Sequence, residues 1–292
     1  MPTAYIPFPA FNPVALSAGP WHLTWPIDFT LGPLAVRWYA LAYIAGIVLG
    51  WWYIRRVIAN DRLWGNVARP AQVEIDDFVT WATVGIILGG RTGYVLFYDP
   101  MHYWADPADI VQIWHGGMSF HGAVLGLWLA MALFSRPRNF SAFTLFDLVS
   151  AAAPIGLFFG RIANFINGEL WGRVTDVPWA VLFPRAGDLP RHPSQIYEMA
   201  LEGFVLFIVL RYLTHSRLAL SRPGTVAGTF AMGYGIARIV AECFREPDVQ
   251  LGYILGPVTM GQILSLPMIA IGLWAILRAN AQARRGVQTI AS

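Results

Sequence analysis

Seven apolar stretches recur along this chain, at roughly 38–58, 78–97, 120–134, 146–165, 196–213, 226–244 and 260–277. A helix needs about 20 mostly apolar residues to cross a hydrocarbon core, and inside lipid every backbone polar group must be satisfied within its own element. The pattern predicts an all-α integral membrane protein of about seven transmembrane helices, built as a single membrane domain over residues 1–292. The third stretch is short, so it begins earlier or tilts. Only 13% of the residues are charged, against about a quarter in a soluble domain. Gly224, Gly228, Gly233 and Gly235 on the sixth stretch predict close packing against a neighbouring helix.

Orientation follows from the basic residues, all of which are arginine. Arg55, Arg56, Arg62 and Arg69 follow the first stretch, Arg136 and Arg138 the third, and Arg211, Arg217 and Arg222 the fifth. Arg278, Arg284 and Arg285 follow the seventh. Alternate links therefore carry the positive charge, which places them in the cytoplasm. The N-terminal segment 1–37 is then expected outside and the tail 279–292 inside. A small outer insertion, 168–194, joins spans four and five, and a further outer link covers 245–259. No cleavable signal is expected, since Met1–Pro20 has no basic start before an apolar run and is interrupted by prolines.

Several function classes drop out. A net charge of +3 is too small to point to nucleic acid. The single cysteine, Cys243, rules out an internal disulfide framework. The histidines show no metal-ligand spacing such as H-E-x-x-H, so no metal and no cofactor is expected.

What remains unexplained by topology is a set of arginines on the outer side, against the positive-inside trend: Arg37, Arg161, Arg173, Arg185, Arg191, Arg238 and Arg245. A polar side chain that stays within the membrane against its cost is a functional candidate. In GRIANFINGELWGR, residues 160–173, Arg161, Asn164 and Asn167 recur every three residues and share a helix face. Glu169 and Arg173 follow as the helix breaks at Gly168. A guanidinium grips phosphate bidentately, and asparagine amides can hold ester or glycerol oxygens; the alternative is a polar helix end that caps itself. Arg238, Glu242 and Arg245 make a second face, at i, i+4 and i+7. Glu242 can pair with either arginine, which lowers the cost of burial. This face is either a structural ion triplet or, at the same depth as the first, the other half of an anion site.

Other polar marks carry less. His115 and His121 bracket a glycine-rich turn at the mouth of the third stretch, where His121 could exchange a proton near neutral pH and Gly122 allows close approach. Ser119 and His121 lack the aspartate and the G-x-S-x-G elbow of a hydrolase. Tyr39 opens the first stretch, as a site residue or part of an aromatic belt. Ser194 is placed to cap the fifth stretch, with His192 and Glu198 nearby, and Asp147 favours the N-terminus of the fourth. Arg91 lies deep in the second stretch and requires a partner or a cavity. From the residues alone, the chain reads as a membrane protein with an outward arginine-lined site for a phospholipid.

The fourteen-residue run 160–173 resembles the signature of the bacterial prolipoprotein diacylglyceryl transferases. HGGMSFHG at 115–122, HPSQIYE at 192–198, the A-R-x-x-x-E-x-x-R pattern around Arg238, MGQILS at 260–265 and Y-x-x-F-P-x-F-x-P near the start resemble that family too, in order and over nearly the whole chain. The resemblance implies transfer of a diacylglyceryl group from phosphatidylglycerol to the lipobox cysteine of a preprolipoprotein, forming a thioether and releasing glycerol phosphate. It implies that Arg161, Asn164, Glu169 and Gly172 serve the phospholipid, that His121, Tyr39 and Arg238 are essential, and that the membrane is a bacterial inner membrane with the outer side periplasmic; Glu242 and Arg245 are assigned to the same lipid site from their spacing with Arg238. Ala163 and Ala123 stand where the family often has glycine, a small-for-small change.

A thiol must lose its proton to become a strong nucleophile. On this reading His121, with Tyr39, takes that proton or merely positions the thiol, while Arg161 and Arg238 hold the phosphate as charge gathers on the leaving group. Two guanidiniums doing that work leave no need for a metal. A non-enzymatic transporter or flippase for anionic lipid would use the same arginines, but it needs polar pairs in the inner half of the spans, where only Arg91 stands out. An intramembrane protease lacks its catalytic residues here.

Overall fold

The computed structural model describes residues 5–9, 11–23, 29–247 and 253–291. Parts of the expected outer segments 1–37 and 245–259, and the last residue of the tail, therefore lie outside the described residues. A helix stands at each of the seven apolar stretches. In order these are α1 (Trp38–Ile58), α2 (Gln72–Phe97), the short α3 (Pro100–Ala105), α4 (Phe120–Ser135) and α5 (Ala142–Ile166). Then come α6 (Ser194–Glu198), a π-helical turn at Met199–Val205, α7 (Leu206–His215), α8 (Thr225–Glu242) and α9 (Met260–Ala291). Three of them are long and apolar enough to cross a membrane by length and composition: Trp38–Ile58, Ala142–Ile166 and Met260–Arg285, with mean hydropathy 1.3, 1.8 and 1.8. Helix α4 is apolar but shorter. The chain is a mostly helical, multi-pass membrane protein.

The α-only expectation needs one correction. Short strands pair outside the helices: β2 (Val14–Ala18) with β5 (Leu34–Arg37), β3 (Trp21–Leu23) with β4 (Phe29–Leu31), and β7 (Tyr253–Leu255) with β8 (Val258–Thr259), all antiparallel. β1 (Ile6–Pro7) adds in parallel to β6 (Val181–Leu182), tying the N-terminal segment to the 168–194 insertion. These segments are rich in prolines, aromatics and β-branched residues and too short to form a helix of useful length, so ladders satisfy their backbone instead.

Helices α2 and α4 approach more closely than any side chain would allow. Gly85, Gly89 and Gly93 on α2 face Gly122 and Gly126 on α4, and a Cβ built at Gly93 would sit 2.9 Å from the Gly122 Cα. Small residues every fourth position let backbones touch, which is how helices associate where lipid removes the hydrophobic drive. Gly228 plays the same part for α8 against α9, where an added Cβ would lie 2.6 Å from the Gly272 carbonyl. The densest apolar packing lies at one end of the bundle, around Trp64, Phe134, Leu145, Leu148, Leu210 and Leu220, all 0–1% exposed. Trp64 buries its indole by donating to the Val57 carbonyl at 3.1 Å.

Two capping expectations change partners. Asp147 does favour a helix N-terminus, but that of α8 and not its own: its carboxylate accepts from the amides of Gly224 (2.8 Å) and Ala227 (2.7 Å). It sits too far into α5 to reach that helix's own free amides, whereas those of α8 point at it. Ser194 does not cap α6; Pro193 holds the cap position, and the Ser194 hydroxyl donates to the Leu170 carbonyl at 2.9 Å.

Gly122→Leu is expected to force α2 and α4 apart, with an overpacking penalty of about 1–3 kcal/mol or more. Its thermal unfolding in detergent should fall well below that of the parent protein, while Leu125→Ile on the exposed face of α4 stays near parental.

Candidate functional site

At the end of the bundle opposite the apolar core, two carboxylates sit where none would be comfortable alone. Glu198 closes α6 and Glu202 lies in the π turn one helical step later, and both are fully buried. The wide turn falls where π segments tend to occur, at a site that must aim side chains inward. Three arginines answer them. Arg161, near the end of α5, brings Nη2 to 2.8 Å from Glu198 Oε2 and 3.1 Å from Glu202 Oε2. Arg238, on α8, places Nη1 3.1 Å from the same Glu198 Oε2 and 3.8 Å from Glu202 Oε1. Arg245, just after α8, reaches Glu198 Oε1 at 3.3 Å.

Glu242 completes the set. It meets Arg238 Nη2 at 2.5 Å and Arg245 Nε at 3.9 Å, and it accepts from the Thr259 hydroxyl at 2.8 Å. Three carboxylates against three guanidiniums leave the cluster formally neutral, which is the condition for keeping charge in a poorly hydrated interior. The arrangement is not saturated, however. Glu202 Oε1 is buried with no hydrogen-bond partner. Arg161 holds its carboxylates through Nε and Nη2, so among the described residues its Nη1 donates to no protein acceptor. Tyr234, one turn before Arg238, is close enough to feel the charges of Glu202, Arg238, Arg161 and Glu198.

The segment 160–173 forms the shell around this cluster. Helix α5 ends at Ile166, and Gly168 (φ +59°) and Leu170 (φ 57°) reverse the chain in left-handed conformations. The helix face read from the sequence is used, but inward: Asn164 and Asn167 both donate to Glu169 Oε1, at 2.9 and 3.4 Å. Gln195 holds the Glu169 carbonyl at 2.5 Å. Gly172 then threads between two chains, pairing with His192 and bridging Arg245; a Cβ there would lie 2.5 Å from the Phe244 carbonyl and 2.6 Å from the His192 Cβ. No larger residue fits that crossing.

Of the remaining arginines expected on the outer side, Arg173 donates to the carbonyls of Arg245 (2.9 Å) and Glu242 (3.1 Å), closing the end of α8. Arg191 binds the Gly172 carbonyl and Glu246. His192 meets the Tyr197 hydroxyl at 3.1 Å, and burial draws its imidazole below the ordinary histidine range. These groups order the insertion around the cluster.

The sequence-predicted residues thus divide. Arg161, Arg238, Glu242 and Arg245 come together in one network, with Asn164, Glu169 and Gly172 in the adjoining turn. Tyr39 opens α1 nearby, close enough to feel Glu169 and Arg161, and its hydroxyl shares a hydrogen bond with Tyr43 at 2.8 Å. His121 stands apart, exposed on the first turn of α4 beside Phe120, and makes no ion pair with the network. The side chain of His115 lies outside the described part of the structure. Sequence reasoning missed Glu202 and Tyr234 and left Glu198 in a structural role. The signal for the glutamates was present: two carboxylates four residues apart within an apolar stretch. Among the described residues no group of three or more His, Cys, Asp or Glu side chains is arranged to hold a metal ion.

Arg91, which the sequence left without a partner, has four. Its guanidinium donates to the carbonyls of Ile110 (2.8 Å), Gly116 (2.6 Å), Gly117 (3.1 Å) and Asp109 (2.5 Å), under the ring of Tyr103. It pins the 109–117 loop onto α2 just ahead of His121.

Glu198→Ala should cost about 3–5 kcal/mol, since it leaves three buried guanidiniums with two carboxylates and one uncompensated charge. Glu198→Gln keeps two acceptor lone pairs and should unfold at a higher temperature than the alanine variant. Arg91→Ala frees the loop: limited proteolysis within 106–118 should accelerate, with Arg91→Lys intermediate, because lysine cannot reach four acceptors at once.

The sequence profile of one family, prolipoprotein diacylglyceryl transferase, matches residues 26–278. A phosphatidylglycerol–prolipoprotein diacylglyceryl transferase of Mesorhizobium japonicum is 54% identical over 283 residues, covering 96% of this chain and 94% of that protein. The proteins of the same name from Rhizobium leguminosarum bv. trifolii and Rhizobium meliloti are 52% and 54% identical, covering 97% and 96% of this chain and 99% and 96% of their own length.

Proposed function

The chain belongs to the prolipoprotein diacylglyceryl transferase family, and we propose on that premise that it moves a diacylglyceryl group from phosphatidylglycerol to the lipobox cysteine of a preprolipoprotein, with the arginine–glutamate cluster as its phosphate site. It is a membrane transferase of lipoprotein biosynthesis. The observation that supports the site is the sharing of one oxygen: Arg161 and Arg238 both meet Glu198 Oε2, at 2.8 and 3.1 Å. Two guanidiniums held that close bracket the space a phosphodiester would fill. A neutral cluster takes up a singly charged headgroup only by opening one of its pairs. The long 3.8 Å contact of Arg238 to Glu202, whose Oε1 lacks a hydrogen bond, is the pair with least to lose.

In the reaction the cysteine sulfur attacks the glycerol carbon that carries the phosphate. The S–C bond forms, the C–O bond breaks, and its electron pair leaves with glycerol phosphate. The thiol proton passes to His121, or His121 positions the thiol while the peptide's surroundings remove that proton. Arg161 and Arg238 strengthen their hold as charge develops on the leaving oxygen. Tyr39, beside Glu169 and Arg161, orients the headgroup, and Glu242 and Arg245 fix Arg238.

All seven long helical stretches are taken as spans, with the N-terminus outside and the site at the periplasmic face of the inner membrane. The arginines of the links after α1, α4 and α7 lie at the opposite end from the cluster, which supports that orientation.

Given phosphatidylglycerol and a lipobox peptide, the purified protein should release glycerol phosphate and yield a lipidated cysteine; a lipid transporter would consume no phosphatidylglycerol. Arg161→Ala should lower kcat/KM by about a hundredfold or more, the usual loss for a transition-state anion contact; turnover equal to the parent would remove the clamp. A His121→Ala variant rescued at high pH identifies His121 as the base, and one without rescue identifies it as a positioner.

A further inference from the structure

The far end of α1 carries a cluster that the transfer reaction does not use. A cleft of about 580 Å³ opens there between Trp51, Trp52, Arg55, Arg56, Arg62 and Gln72, within the size range of small-molecule sites. Asp61 also lines it, Asp76 lies beside it, and both carboxylates are already engaged. Asp76 takes Arg55 Nη1 on both oxygens, at 2.8 and 2.5 Å, and the Trp51 indole at 2.7 Å, while Asp61 is paired with Arg69. Arg56 and Arg62 are exposed, and among the described residues neither joins an ion pair. Arg56 is not loose, however: its guanidinium lies 4.5 Å from the centroid of the Trp52 ring, which orients it over an aromatic face.

Below that cation runs an apolar lane. Ile44, Val48 and Trp52 are 56%, 50% and 47% exposed and lie four residues apart, so they form one stripe on α1 that leads to Arg56. From Ile44 to Arg56 the lane is about 18 Å long, comparable to one leaflet's share of a hydrocarbon core about 30 Å thick. A row of exposed apolar residues capped by the oriented Arg56 and the exposed Arg62, neither in an ion pair among the described residues, matches a molecule with a phosphate head and an acyl tail. Free phosphate would use only the top of it.

We propose that this cleft binds the headgroup of an anionic phospholipid, whose chain lies along Ile44, Val48 and Trp52, as a site separate from the one where lipid is consumed. Tyr39 and Arg56 stand at opposite ends of the same helix, about 25 Å apart, so a lipid held here cannot reach the arginine–glutamate cluster. The bound lipid fastens the ends of α1 and α2, which Arg55 and Asp76 already join. The proposal needs α1 to span the bilayer but does not depend on the transferase reading.

Native mass spectrometry of the full-length protein in detergent, titrated with phosphatidic acid, phosphatidylcholine or inorganic phosphate, tests it. Phosphatidic acid should bind the parent, and the double variant Arg56→Gln/Arg62→Gln should lose about tenfold or more in affinity, as expected for two headgroup arginines. Arg56→Lys/Arg62→Lys should recover most of it, and Arg161→Ala should retain it. Turnover of phosphatidylglycerol by the glutamine double variant should stay within about twofold of the parent, given the separation of about 25 Å. Equal affinity for phosphatidylcholine, unchanged binding in the glutamine variant, or full displacement by equimolar inorganic phosphate would each overturn the lipid site. A parallel collapse of turnover would show that the cleft belongs to the reaction and is not a second site.

Discussion

Glu198 is the residue on which the polar end of this bundle depends. One buried carboxylate receives Arg161 from α5, Arg238 from α8 and Arg245 from the turn beyond α8. Removing three guanidiniums from water costs far more than packing repays, unless each finds an opposite charge at close range. The helices are therefore joined at this end by charge, whereas the other end is joined by apolar side chains around Trp64 and Phe134. A bundle held in these two ways can be rigid at its core and still present polar groups to a lipid headgroup.

That arrangement ties stability to chemistry. The arginines that would hold a phosphate are the same ones that neutralise the buried glutamates, so the cluster is preorganised before any ligand arrives. Preorganised charge is where electrostatic catalysis gains most, because little reorganisation is left for the reacting step. The shell follows the same logic. Asn164 and Asn167 spend their amides on Glu169, Gly172 gives up its side chain to let two chains cross, and Arg173 and Arg191 bind carbonyls and Glu246. On the proposed reading the signature segment is mainly scaffold, with Arg161 as its chemical point.

Much of this was legible from the residues. The apolar stretches marked the helices closely, α1 to the residue, because a lipid-facing segment must be both apolar and helical. The arginine faces were legible because charge in an apolar stretch needs a reason. Glu202 was legible beside Glu198 as a second carboxylate in an apolar stretch and was missed, whereas a lone phenol such as Tyr234 does not announce which neighbour it will meet. The partner of Arg91 was illegible in principle: its acceptors are backbone carbonyls, which every sequence has at every position. The strands of the N-terminal segment escaped notice for a related reason, because two- to five-residue ladders leave little periodicity to detect.

By itself, then, the sequence determined that this chain lives in a membrane as a helical protein, which residues carry its unusual charge, and, through a long and specific signature, its family. Those properties are written in composition and local order, and a bilayer tolerates few alternatives. Only the tertiary structure decided what the charges do to one another. It turned Asp147 from its own helix to the N-terminus of α8, Ser194 from a cap to the Leu170 turn, and the asparagine face inward to Glu169. It also gathered Arg161 and Arg238, 77 positions apart in the chain, onto one oxygen of Glu198. Such pairings depend on distances set by helix packing, at glycine contacts and a π turn, and no local pattern encodes those distances.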